Sequence, residues 1–330
     1  MFLAGDIGGT KTNIALFAAQ GGARPTLLRE HSYASAEHAG LEQIISHFLT
    51  EAPGATLQGA CFGIAGPVIA GHCETPNLPW VIEAKALQNK FALPKVTLIN
   101  DLEALAEGIA ALEPSELATL NAGTPSSAEL QPGAVIAAGT GLGMAILQPV
   151  GGQWIPAASE GGHMDFAPRN PQEMALLGFL LGRFERVSIE RVVSGPGLHA
   201  VYDFCVARGN TQPDLAIQRA IAADPTQAPA LISNAALAAQ CPTCVAALGL
   251  WVECYAAAAG NLGLVALSSG GLFLGGGIAP KILSKLQEPA FLNAFTSKGR
   301  LSPVLQRMPV HVILNPKTPL LGAARRALRS

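Results

Sequence analysis

The feature that most constrains this chain is its N-terminal stretch FLAGDIGGTKTNIALF, which sets an apolar run on each side of a glycine-rich turn. FLAGDIG and TNIALFA both read as strands, so GGTK joins them as a hairpin. GDIGGTKT comes close to a P-loop and fails it. That motif needs Gly directly before its lysine, and Thr10 precedes Lys11 here. A P-loop also runs into a helix, whereas TNIALF continues as a strand. The glycines permit tight turning and close main-chain approach, and amides in such turns form concavities for anions. Thr10 adds a hydroxyl and Lys11 a charge, and Asp6 is placed to hold a hydrated Mg²⁺ between phosphates. Taken alone, one such copy reads as an ordinary structural hairpin.

There is more than one copy. AVIAAGTGLGMAIL repeats the plan of strand, Gly/Thr turn and strand, and GLFLGGGIAP supplies a third glycine turn. Neither a GxGxxG nor a later acidic ribose partner stands in the right context for a dinucleotide fold. A nucleoside triphosphate explains three glycine turns more economically. Around these turns, strand-like runs alternate with helical ones over the first third of the chain: TLLREHSY, LQGACFGIAGP and KVTLIN as strands, GLEQIISHFLTE and DLEALAEGIAAL as helices. This alternation argues an α/β sheet. After the looser NAGTPSSAELQPG, residues 171–267 are mostly helical. VHVILNP and PLLGAARRALRS then read as a last strand and helix.

At KVTLINDLEALAEGI an amide and a carboxylate stand together where a strand becomes a helix. Capping is the simple account, since Asn100 and Asp101 accept from free amides and an acid there complements the helix dipole. The chemical account makes Asp101 a proton acceptor from a substrate hydroxyl and Asn100 a substrate ligand.

Composition excludes several classes. The net charge of -2 over 330 residues offers no basic footprint for nucleic acid and no polybasic membrane patch. MFLAGDIGG meets an aspartate at position 6 without a basic leader, which argues against a signal peptide. The uncharged run from Cys254 to Pro280 exceeds the ~20 residues a membrane span needs, but SSGG splits it and GGG closes the second piece. It therefore reads as a buried helix, a turn and a short strand. One CxxC (Cys241, Cys244) opens a helical pattern with no second pair to complete a zinc site, so reduced thiols in a cytoplasmic protein are expected.

Seven ordered blocks, GDIGGTKTNIAL, LINDLEALAEGI, AAGTGLGMAIL, SEGGHMDFAP, ERVVSGPGL, GGLFLGGGIAPKI and LLGAARRAL, resemble the bacterial glucokinases of the hexokinase/actin-like ATPase superfamily. The resemblance spans essentially the whole chain. It implies two α/β lobes built on ribonuclease-H-like sheets with the active site in the interlobe cleft. Residues 1–111 plus 310–330 would form the small lobe, and 112–309 the large one. By position, Asp101 resembles the catalytic base, and Asn100, Glu160, His163 and Glu190 resemble the ligands of sugar hydroxyls. Gly5, Asp6, Ile7, Gly8, Gly9, Thr10 and Lys11 match the first phosphate motif, with Asp6 as the metal carboxylate. Gly139, Thr140, Gly141 and Gly143 match the second, and Gly275, Gly276 and Gly277 the adenosine motif.

The resemblance further implies ATP and glucose as substrates, Mg²⁺ as cofactor, and a cytoplasmic homodimer with no nucleic-acid or membrane partner. Related repressor–kinases carry a cysteine-rich zinc motif after their histidine. HMDFAPRNPQ follows His163 instead, so no zinc is expected. CETPNLPW (73–80) is taken as a sugar-side loop that departs from many relatives, leaving Asn77 and Trp80 without an assigned role.

Taken singly, His163 reads as a local hydrogen-bond partner, Glu160 as a solvent-facing acid and Glu190 as a first-turn helix acid. As a cluster with Asn100 and Asp101 they supply the donors and acceptors a polyol requires. The expected reaction moves the γ-phosphoryl of ATP to the 6-hydroxyl of glucose, with Asp101 at an ordinary carboxylate pKa. Other readings keep the fold but change the acceptor to mannose, fructose or an N-acetylhexosamine, or the donor to polyphosphate. A sugar-responsive regulator and an actin-like assembly ATPase are the readings from other classes.

Overall fold

The computed structural model describes residues 1–19, 24–51, 54, 56–76, 78–124 and 129–329. Thirteen strands occur among them: β1 (Phe2–Ile7), β2 (Lys11–Ala18), β3 (Thr26–Ala34), β4 (Gly59–Ile64), β5 (His72–Glu74), β6 (Val81–Glu83), β7 (Val96–Asn100), β8 (Leu117–Asn121), β9 (Gly133–Ala138), β10 (Leu142–Val150), β11 (Gln153–Ser159), β12 (Gly271–Gly275) and β13 (Val310–Ile313). Contacts divide the chain into two compact units, residues 1–117, 150–158 and 315–330, and residues 118–149 and 159–314.

In the first unit a five-stranded sheet has the order β3-β2-β1-β4-β7. β1 and β2 are antiparallel, with Asp6 opposite Asn13 and Ile7 opposite Thr12, so GGTK is a hairpin turn as read. β4 runs parallel to both β1 and β7 and is buried along its whole length. Strand side chains alternate between faces, and both faces here are covered by helices. Leu3, Ile14, Leu16 and Phe62 pack with Leu41, Ile44, Phe48 and Leu87 of the helices Leu41–Thr50 and Ala84–Lys90. Ala4, Ala15, Cys61 and Ile99 pack with Ala104, Leu320, Ala323 and Ala324 of the helices Asp101–Ile109 and Thr318–Arg329.

Those last two helices meet almost backbone to backbone. A methyl group added at Gly322 would stand 1.8 Å from the Ala104 carbonyl oxygen, and one at Gly108 would stand 2.1 Å from that of Thr318. Beside this seam the buried Glu107 carboxylate takes hydrogen bonds from Arg326, at 3.2 Å, and from Arg329. The C-terminal helix thereby holds the helix that begins at Asp101.

The second sheet has the order β11-β10-β9-β12-β13-β8. β12 is parallel to β9 on one side and to β13 on the other. Val310–Ile313 therefore belongs to the second sheet, held by its ladder to β12, and the chain rejoins the first unit at Asn315 instead of 310. The small-lobe boundary drawn from sequence shifts accordingly at both ends, to 117 and 315. Periodicity also left out β8, β11 and the hairpin of β5 and β6, all short or half-exposed strands.

The apolar run resolves as read, into the helix Pro242–Ala266, a turn and β12. The helix is long and apolar enough to cross a membrane, yet 78% of its most apolar window is buried inside the fold. Its Trp251 Nε1 donates to the Ser194 carbonyl at 3.1 Å, and Tyr255 Oη donates to the Ile136 carbonyl at 3.2 Å. These bonds satisfy the polar ends of two fully buried aromatics. Cys241 caps this helix, its Sγ accepting from the Cys244 amide at 3.4 Å.

Gly322→Ala is expected to destabilise the first unit by roughly 3 kcal/mol, because a methyl group cannot share space with a carbonyl oxygen. Thermal melting followed by circular dichroism checks it; an unchanged melting temperature contradicts the seam.

Candidate active site

In the first unit the chemistry gathers where parallel strands end. Ile64 lies opposite Ile7 and opposite Asn100, so three carboxyl-terminal strand ends share one edge. From that edge lead the Gly8–Thr10 turn, Ala65-Gly66, and the helix beginning at Asp101. Such edges are where ligands bind in open α/β sheets.

The turn is closed by the Gly8 amide donating to the Lys11 carbonyl at 2.9 Å. A residue the sequence did not mark, Ser35, holds it from behind. The Ser35 amide donates to the Thr10 carbonyl at 3.0 Å, its hydroxyl donates to the Gly8 carbonyl at 2.8 Å, and Thr12 Oγ1 lies 3.0 Å from the same hydroxyl. Ser35 and Thr12 are both fully buried, which makes this a built support. A serine inside a β-strand-to-helix link carries no sequence signal of that role. Gly5 serves packing, since an added methyl would lie 2.6 Å from Phe62 Cδ1. Thr10 and Lys11 are exposed.

Asn100 caps the helix as the simple account requires. Its Oδ1 accepts from the Leu102 amide at 2.9 Å, and its Nδ2 donates to the Gly66 carbonyl at 3.0 Å. Asp101 Oδ1 also accepts from Leu102, at 2.8 Å, but the residue is exposed. Surrounding protein bulk desolvates it enough to raise its pKa, against the opposing pull of the Leu102 amide and the Asn100 side chain. The ordinary carboxylate pKa expected from sequence is thus corrected upward.

Asp6 is pushed up to about 6, chiefly by burial, with the Asp101 charge adding to it and Asn13 opposing. Among the described residues its side-chain partner is Asn13 Nδ2, 3.4 Å away. Two neighbouring acids with little compensation form a donor set that a divalent cation suits. No group of three or more His, Cys, Asp or Glu side chains among the described residues could hold a metal alone. Mg²⁺ characteristically takes one or two carboxylates and completes its shell with phosphates and water, so Asp6 fits that ion.

In the second unit the other named residues cluster. Gly139–Leu142 turns between β9 and β10, with the Gly139 amide donating to the Gly141 carbonyl at 2.9 Å. Gly276 follows β12 at a left-handed φ of 82°, and a methyl there would meet the Ala138 carbonyl at 2.3 Å. β9 and β12 are parallel, Gly275 opposite Ala137, so these two glycine turns are neighbours. Gly143 lies within β10, and an added methyl on Gly277 would meet nothing within 4 Å.

Glu160 and His163 flank a short 3-10 turn, their side chains 4.0 Å apart and both exposed. Arg186 donates to the His163 carbonyl through both terminal nitrogens, at 2.9 and 2.8 Å. Ile189 donates to the Met164 carbonyl at 2.8 Å, which ties this loop to the segment carrying Glu190. Glu190 Oε2 accepts from the Leu142 amide at 2.8 Å, placing this acid against the second glycine turn.

Trp80 is buried, with Nε1 donating to the His38 carbonyl at 3.1 Å, and is a core residue of the first unit. Asn77 lies outside the described residues. A cavity of about 330 Å³ lined by Phe17, Arg24, Leu27, Glu30 and Lys317 sits at the far end of β2 and β3, away from all these groups.

A family model described as Glucokinase matches residues 3–330. A glucokinase of Nostoc punctiforme is 41% identical over 100% of this chain and 99% of its own length. The crystal structure of a glucokinase from an Antarctic psychrotroph has a TM-score of 0.88 at 32% identity, covering 100% of this chain and 99% of its own. A ROK family glucokinase from Streptomyces griseus, solved with glucose and AMPPNP, has a TM-score of 0.61 at 21% identity, with coverage of 100% and 99%, and bears on the fold alone. The fold is that of the actin-like ATPases in the form used by sugar kinases. Within that class, the chain belongs to the glucokinase family.

The Asp6 shift makes a stability prediction. Its folded pKa of about 6 lies above the ordinary 3.8, so ionising it opposes folding. That cost is absent where the acid is protonated in both states, below about pH 4, and complete above about pH 6. Asp6→Asn should therefore melt higher than the parent at pH 8, by the equivalent of ~2 to 3 kcal/mol, with the gain fading toward pH 4. Melting curves across pH measure it, and a variant no more stable at pH 8 refutes it.

Proposed function

We propose that this enzyme transfers the γ-phosphoryl group of ATP to the 6-hydroxyl of glucose, giving glucose 6-phosphate and ADP, with Asp101 as the general base. The observation that carries the reading is Asp101 itself: an exposed carboxylate of raised pKa, on the same strand edge as the Gly8–Thr10 turn. Phosphoryl transfer passes through a loose transition state, so the protein's work is positioning and charge stabilisation. Phosphate ligation is assigned to the main-chain amides of the Gly8–Thr10 turn, with Thr10 and Lys11, in the first unit and to those of the Gly139–Leu142 turn in the second. Gly275–Gly277 receives the adenosine.

Asn100 in the first unit, and Glu160, His163 and Glu190 in the second, are assigned to hexose hydroxyls, and Asp101 to the 6-hydroxyl. Asp101 keeps one oxygen on Leu102, which fixes the carboxylate, and leaves the other to orient the hydroxyl and accept its proton. Its raised pKa makes it a stronger base than a free aspartate and switches it off at a higher pH. Asp6 would hold Mg²⁺, which when bound neutralises charge on the phosphates. A reducing cytoplasm agrees with six free, buried cysteines. A homodimer agrees with the exposed Met174 and Leu181 on the helix Pro171–Leu181.

A coupled assay across glucose, mannose, fructose and N-acetylhexosamines, with ATP or polyphosphate and with or without Mg²⁺, tests the reading. Activity with glucose and ATP that vanishes on chelation is expected. Preference for another hexose or for polyphosphate reassigns the substrate.

Asp101→Asn preserves the bond to Leu102 while removing the base. It should lower kcat by ~10² or more with KM for glucose within about threefold of the parent. Turnover near the parental rate rules out Asp101 as base.

A further inference from the structure

We infer that Gly141, in the second phosphate-binding turn, is a positioning residue for the hexose, because the turn and the Glu190 carboxylate are built as one piece. The inference rests on the reading of Glu190 as a sugar ligand and adds a coupling to it. A methyl group added at Gly141 would stand 2.7 Å from Glu190 Oε2 and 3.5 Å from its Cδ. Glycine at 141 therefore answers to an acid in the acceptor site, in addition to any phosphate. Gly139, two residues earlier, has no atom within 4 Å of its added methyl.

The contact is part of a closed circuit. The Leu142 amide donates to Glu190 Oε2 at 2.8 Å. The Glu190 carbonyl accepts from Ser194 Oγ at 2.7 Å, and the Gly195 amide donates to the Gly139 carbonyl at 2.8 Å. The Gly139 amide donates to the Gly141 carbonyl at 2.9 Å, returning the circuit to its start. Ser194 is buried and caps the helix Gly195–Arg208, and its own carbonyl is held by Trp251. One side of the circuit is thus fixed in the core, and the freedom left to Glu190 and the turn is shared. Moving either moves the other.

The second oxygen of Glu190 remains for a sugar hydroxyl. A hexose that engages it orients the same carboxylate that holds Leu142, so acceptor binding pre-arranges the donor turn. By reciprocity, a bound triphosphate that orders the turn sharpens the sugar site.

The test compares four variants by steady-state kinetics with both substrates varied. Gly141→Ala should raise KM for glucose by about tenfold or more, the loss expected when a charged hydrogen bond is displaced. Gly249→Ala, on the helix Pro242–Ala266 outside the site and also with open space for the added methyl, should leave KM for glucose within about twofold. Glu190→Gln reads the underlying assignment. If it leaves KM for glucose unchanged, Glu190 is not a sugar ligand, and both the assignment and the coupling fall. If Glu190→Gln raises KM for glucose but Gly141→Ala affects only KM for ATP, the assignment stands and the coupling is overturned. Glu190→Asp covers the case in which Gly141→Ala does not fold. It withdraws the carboxylate from Leu142 with the turn's sequence intact, and should raise KM for ATP severalfold; an unchanged KM for ATP overturns the coupling.

Discussion

Ile64 faces Ile7 on one side and Asn100 on the other, and the active-site reading of the first unit hangs on that register. A parallel ladder repeats its side-chain orientation every two residues, so a one-residue slip of β7 would turn Asn100 and Asp101 to the opposite faces. What prevents the slip is burial. β4 is enclosed on both faces, and Ala4, Cys61 and Ile99 must meet the small residues of two helices while Leu3 and Phe62 meet larger ones behind. The unequal thickness of the two cores pins the strands, and the strands place the chemistry.

The same edge concentrates charge that folding alone would not choose. Asp6 and Asp101 repel each other with few hydrogen-bond donors to compensate, and the half-buried Asp6 is raised to about 6. Buried acids elsewhere are treated differently: Glu107 has Arg326 and Arg329, and the fully buried Glu173 is held by Arg169 and Asn170. The contrast separates carboxylates matched from within the chain from Asp6 and Asp101, which on the proposed reading meet a cation and a substrate.

Three glycine turns that look alike in the sequence are glycine-rich for different reasons. Gly276 needs its left-handed φ and the nearness of Ala138. Gly141 gives room to Glu190, and Gly5 gives room to Phe62, well inside a strand. Gly139 and Gly277 have space around them, which leaves close ligand approach as their remaining distinction. The phosphate-binding reading of the motif is therefore a composite of packing, backbone and ligand demands.

The sequence by itself determined the alternation of strands and helices, the hairpin nature of GGTK, the broken apolar run, the family, and the identity of the polar residues available for chemistry. These are legible because periodicity, turn chemistry and short motifs act over a few neighbouring residues. The structure alone decided that Val310–Ile313 joins the second sheet, that Ser35 braces the first turn, that Trp80 is core, that Asp101 carries a raised pKa, and that Glu190 grips Leu142. Each depends on groups far apart in the chain, and a hydrogen bond or a desolvated charge is set by whatever the fold brings within a few ångströms. Local pattern can name the acid; only packing says what holds it.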